Sequence, residues 1–145
     1  MTLHLVKLCV GVDTVEDLQG WITFRLQEKR RAGETPEQFH TTRMMPRRGD
    51  ELLDGGSLYW VIRGNVQVRQ QLLAIRPFRD ADGIRRCKLV LEPKLILTEW
   101  QPRRVFQGWR YLAPKDAPRD IASDEARIAA LPPKLRRELA ELGLL

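Results

Sequence analysis

The sequence predicts an α+β domain in which one N-terminal helix precedes a strongly curved antiparallel sheet or small barrel, with two short helices at the C-terminal end. Three patterns carry this expectation. Apolar residues recur at helical spacing between Val15 and Leu26. Short alternating segments separated by turn residues fill the chain from Phe39 to Leu112. A proline-punctuated link, APKDAPRD, then leads into DEARIAAL and PPKLRRELAELGLL, both helical by periodicity.

Leu3, Leu5, Leu8 and Val10 read as a short strand ending at Gly11. Asp13 or Thr14 caps the helix that follows, with Glu16 or Asp17 positioned for a capping box, and Gly33 is its stop. Its apolar stripe runs through Val15, Leu18, Trp21 or Ile22, and Leu26, which places Trp21 in the core. Gly64-Asn65 is the expected two-residue loop of a hairpin pairing residues 58–62 with 66–72. That loop sets Val61 opposite Val68 and Trp60 opposite Arg69, with Tyr59, Val61, Val66 and Val68 on one face. RDADG, residues 79–83, makes a second turn into IRRCKLVLE, where Cys87, Leu89 and Leu91 point one way and Arg86, Lys88 and Val90 the other. The whole chain reads as one domain over 1–145, with 1–112 as helix plus β core and 113–145 as a helical extension packed on it.

Composition excludes several classes. With 43% hydrophobic and 30% charged residues the chain is a folded globular protein. No apolar run reaches the roughly 18 residues a membrane span needs. The opening MTLHLVKLCVGVD lacks the basic flank and cleavage site of a signal peptide, so the expected location is cytoplasmic. Cys9 and Cys87 form no C-x-x-C pair, and His4 and His40 are the only imidazoles, so neither a metal nor a cofactor is expected. Phosphate-loop, dinucleotide, zinc-protease and serine-hydrolase motifs are all missing.

Charge is uneven. Residues 1–42 carry five basic against six acidic groups, 43–110 carry fourteen against seven, and 111–145 six against six. Nineteen of the 25 basic residues are arginine, whose planar fork suits phosphate and aromatic faces. In FHTTRMMPRRGDELL, hydroxyls, guanidinium groups and turn amides are all donors to phosphate oxygens. QPRRVFQGWRYL adds three arginines beside Phe106, Trp109 and Tyr111, with Gly108 allowing a bulge that sets Trp109 and Tyr111 on one face and Arg110 on the other.

The expected partner is therefore nucleic acid, RNA favoured, contacted through Thr42, Arg43, Arg47, Arg48, Arg69, Arg103, Arg104 and Arg110, with Trp60 and Trp109 as candidate stacking platforms. Two alternatives stay open. One is a small enzyme for a nucleotide-like or phosphorylated substrate, with Asp50 or Glu51 as general base and Arg43 as anion clamp. The other is a protein-interaction adaptor using the C-terminal helices. Oligomeric state is not legible.

Thr42, Arg43, Gly49 and Asp50, followed by a hydrophobic strand, resemble the opening of ASCH-type domains, a branch of the PUA-like pseudo-barrels. The resemblance covers about residues 39–91 and implies a compact pseudo-barrel and RNA or modified-base recognition; the Gly-x-Lys expected upstream of the Thr is missing. The whole chain, from its LVKLCVG opening to QGWRYL, is also similar to a family of short alphaproteobacterial proteins catalogued as a domain of unknown function.

Overall fold

A computed structural model describes residues 2–121 together with Lys134 and Glu138. The two expected C-terminal helices lie outside the described residues, except that Lys134 and Glu138 of the second are helical. The chain runs β1 (His4–Leu8), α1 (Val15–Arg31), β2 (Gln38–Thr42), α2 (Gly49–Leu52), β3 (Ser57–Ile62), β4 (Asn65–Arg79), β5 (Arg85–Leu91), β6 (Ile96–Pro102) and β7 (Trp109–Leu112), then a 3-10 turn at Pro114–Asp116. The seven strands form one sheet in the order β2-β5-β4-β3-β1-β7, with β6 on β4.

The sheet is mixed, not antiparallel throughout, and it is not closed into a barrel. Strand β1 pairs parallel with β3, because the α1–β2–α2 crossover returns the chain in the same direction, while the other pairings are antiparallel. Strand β4 holds the sheet together. Its first half lies between β3 and β6, and its second half pairs with β5. The sheet curls enough that His40 of β2 meets Trp60 of β3 edge to face, ring centroids 5.2 Å apart, although β5 and β4 lie between those strands.

Helix α1 begins as the capping box requires. The Thr14 side chain accepts from the Asp17 N–H at 3.0 Å, and the Asp17 carboxylate accepts from the Asp13 N–H at 3.2 Å. The helix lays Val15, Leu18 and Ile22 on the concave face, in one core with Leu5, Leu52, Leu58, Trp60, Leu72, Leu89 and Trp109. Trp21 is not core. It is 52% exposed, because Ile22 takes the inward position one residue on, and its ring stacks beside Phe24 with Arg25 over it. On the convex face a smaller cluster joins Val6, Tyr59, Val61, Val66 and Leu112 to Phe106 and Ala117.

The first hairpin forms, but its turn lies one residue earlier than the sequence predicts. Arg63 and Gly64 both adopt left-handed backbone (φ 49° and 81°), the two central positions of a type I′ turn, and Asn65 pairs with Ile62. Gln67 then stands out of the ladder as a bulge, with its amide donating to the Ile62 carbonyl at 2.8 Å. As a result Trp60 faces Val68 in the concave core, and Arg69 faces Tyr59 on the convex side. The Trp60 indole N–H finds Gln70 Oε1 at 2.9 Å, and Gln70 in turn donates to Gln38 and to the Glu92 carbonyl, so this buried polar chain is satisfied. The 79–83 turn forms as expected, with Asp80 accepting from the N–H groups of Asp82 and Ile84.

Candidate nucleic-acid interface and an adjoining cleft

Three of the predicted phosphate contacts sit together. Residues 43–48 leave the β2 edge of the sheet and are fastened to β7, which forms the other edge. Trp109 Nε1 donates to the Met44 carbonyl at 2.7 Å, and the N–H groups of Arg47 and Arg48 both donate to the Tyr111 hydroxyl, at 3.0 and 3.2 Å. Thr42 Oγ1 accepts from the Met44 N–H, which turns the chain out of the strand. The loop backbone is thus held while Arg43 and Arg47 stay exposed, with no carboxylate partner among the described residues. Arg48 lies over the Tyr111 ring and pairs with Glu51.

Register extends this surface. Thr42 pairs with Cys87, so Arg43 and Arg86 leave that pair from the same end, beside the exposed Arg79–Arg85 pair at the hairpin tip. Arg86 is bound to Asp80, whereas Arg85 has no carboxylate partner among the described residues. Arg79 and Arg85 were not among the expected contacts: they lie within the basic 43–110 segment, but their place beside the 43–48 loop depends on long-range register that local pattern does not encode.

The remaining candidates are elsewhere. Arg69 is on the convex face, only 21% exposed, with a bidentate bond to Asp120 at 2.7 and 2.8 Å and a third bond to Ser57, so its fork is already occupied. Next to it His4 accepts from the Ser57 N–H, and burial together with Arg69 holds its pKa below the ordinary value. Arg103 donates to Gln101 Oε1 near the Arg63-Gly64 turn, Arg104 is exposed on the loop after β6, and Arg110 lies over Phe106 on the side of β7 away from Trp109. Trp60 and Trp109 are 4% and 5% exposed, with both indole N–H groups bonded. They complete the concave core, and neither offers an open ring for a base to stack on.

A cleft of about 620 Å³ opens between α1 and the strands β1, β2 and β3. It is lined by Lys7 of β1, Trp60 of β3, Phe39 and His40 of β2, and Trp21, Arg25 and Lys29 of α1. Burial and the nearby Lys7 charge push the His40 pKa down to about 4, so the imidazole is neutral at pH 7, and its Nε2 has no partner among the described residues. The ammonium groups of Lys29 and Lys88 both lie against the Phe39 ring, 4.2 and 4.5 Å from its centroid.

Asp50 and Glu51 are not in this cleft. They border an open hollow with Leu53 and Asp54, and the Arg48 hydrogen bond holds the Glu51 carboxyl below its usual range. Among the described residues no group of His, Cys, Asp or Glu converges in a way that could hold a metal, and no helix is long and apolar enough to cross a membrane. Cys9 and Cys87 are free thiols.

The fold and these sites define an α+β domain built on a curled, open, mixed sheet whose two edges are bridged by a basic loop. The chain belongs to the family described as Protein of unknown function (DUF1489), whose model matches residues 5–145. No curated protein and no solved structure matches it.

Proposed function

We propose that the chain is a nucleic-acid-binding module, RNA favoured, whose contact surface is the 43–48 loop together with the Arg79–Arg85 hairpin tip. One observation carries the reading: three hydrogen bonds between the loop backbone and β7 side chains hold the loop, while Arg43 and Arg47 project without carboxylate partners among the described residues. A pre-ordered backbone lowers the entropy lost on binding, and free guanidinium groups are the usual ligands of phosphate oxygens. The preference for RNA rests on the resemblance of Thr42, Arg43, Gly49 and Asp50 to ASCH-type, PUA-like domains. The enzyme alternative draws less support, because a general base near neutral pH needs a raised carboxyl pKa and that of Glu51 is lowered. Purifying the protein and measuring its absorbance ratio before and after a high-salt wash tests the proposal. Bound nucleic acid released by salt supports it, and a preparation free of nucleic acid at low salt that also fails to retain added RNA counts against it.

A further inference from the structure

The cleft under α1 holds a cation, Lys7, that no other described residue pairs with. Lys7 stands in β1 with Trp60 and Trp109 as its neighbours in register, on the face that α1 covers, so its ammonium is half withdrawn from water. No hydrogen bond or ion pair reaches it from the described residues. Burial lowers the Lys7 pKa, and the nearby Cys9 thiol, whose own pKa burial pushes up to about 11, is neutral at pH 7 and supplies no counter-charge. A partly desolvated cation without a partner destabilises a fold, and such groups in clefts mark binding sites.

The helix adds to this field. Arg25 and Lys29 are four residues apart and share the cleft-facing side of α1. Lys29 donates to the Glu37 backbone carbonyl, while the two carboxylates that line the cleft are bound to other groups: Asp17 accepts the Asp13 N–H in the capping box, and Glu37 pairs with Arg76 at 2.8 Å. Uncompensated positive charge in a concave, partly apolar site concentrates anions. The rest of the lining includes Val12, Leu18, Ile22 and Trp21, and the volume falls within the range of small-molecule sites, about 300–1,000 Å³.

We infer that this cleft binds a small organic anion, a phosphate or carboxylate on a flat apolar body no larger than a mononucleotide, with Lys7 contacting the anion and Arg25 and Lys29 flanking it from α1. The inference does not depend on the nucleic-acid reading, since the 43–48 loop lies outside the cleft. Isothermal titration with adenosine monophosphate, naphthoate and inorganic phosphate tests it. At least one of the two organic anions binds one to one, and whichever is tighter identifies phosphate ester or carboxylate as the preferred head group. Inorganic phosphate binds at least tenfold more weakly. Lys7→Met weakens the organic anion at least tenfold and raises the melting temperature of the ligand-free protein. Arg25→Gln, at an exposed position where folding is not at risk, weakens it at least threefold, and Arg43→Ala/Arg47→Ala leaves it unchanged. Binding of neither organic anion overturns the inference, as does affinity indifferent to Arg25→Gln. A Lys7→Met chain that melts lower or fails to fold overturns it too, because the lysine is then structural. Loss of binding in Arg43→Ala/Arg47→Ala places the anion on the basic loop instead.

Discussion

The indole N–H of Trp109 donates to the Met44 carbonyl at 2.7 Å, which ties the arginine-bearing loop to the sheet edge opposite the strand it leaves. The ring is buried in the concave core, so one side chain serves packing and loop position together. Trp109→Phe keeps most of the apolar contact and leaves the Met44 carbonyl only the Thr42 hydroxyl, which donates to it at 3.3 Å, and should cost about 0.5–1.5 kcal/mol in a denaturant titration. Trp109→Ala adds a cavity and should cost about 3–5 kcal/mol.

Tyr111→Phe isolates the loop from the core. The hydroxyl accepts two exposed N–H groups, those of Arg47 and Arg48, which water can take over. Stability should change by less than about 1 kcal/mol. Amide exchange at Arg47 and Arg48 should speed up, and affinity for single-stranded RNA should fall severalfold because the loop is no longer pre-ordered. Unchanged exchange at both amides argues against the clamp.

Two glycines should respond to alanine with opposite signs. A Cβ on Gly56 would lie 2.2 Å from the carbonyl oxygens of both Leu3 and Leu52, which are backbone and cannot swing aside. Gly56→Ala should therefore destabilise by at least about 1–3 kcal/mol, the cost of overpacking. Gly20 is in mid-helix with nothing within 4 Å of a Cβ, and Gly20→Ala should stabilise by about 0.5–1 kcal/mol. Thermal melts of the pair decide both.

Acid should weaken the fold through His40. Its pKa falls from 6.5 in the unfolded chain to about 4 when folded, so between those values the unfolded state binds the proton that the folded state refuses. The stability this contributes is complete above pH 6.5 and is lost progressively as pH drops toward 4. His4, also lowered, acts in the same direction. His40→Phe keeps a ring against Trp60 and should flatten the dependence of urea midpoint on pH across this window. An unaltered slope would place the effect in other groups.

Much of the fold was legible because local pattern and tertiary demand agree. The Thr14 cap, the Gly33 stop, the pairing of 58–62 with 66–72 and the 79–83 turn follow from propensity and spacing. The hairpin turn was displaced because Gly64 fills the second left-handed position and Arg63 accepts the first, a non-glycine choice that composition does not announce. Trp21 and Ile22 are adjacent on one helix, and spacing alone does not say which turns inward. The parallel β1–β3 pair was missed because the sequence shows two separate strands and not the crossover between them. Of the candidate residues, Arg43, Arg47 and Arg48 are neighbours in sequence and stay together in the fold, whereas Arg69 is bound to Asp120, a partner 51 residues away. Local pattern does not single out Lys7, since its lack of a partner among the described residues is visible only when the helix covers it.

The salt dependence of affinity for single-stranded RNA tests the central claim most directly. If the 43–48 loop and the hairpin tip meet phosphates, log K falls linearly with log salt, and Arg43→Ala, Arg47→Ala and Arg85→Ala each lower the slope by about 0.7. Because phosphate contacts position without reading bases, the loss should be alike for unrelated sequences. A folded wild-type protein with no salt-dependent affinity for RNA or DNA at low ionic strength would contradict the account, and the basic loop would then be a solvated surface.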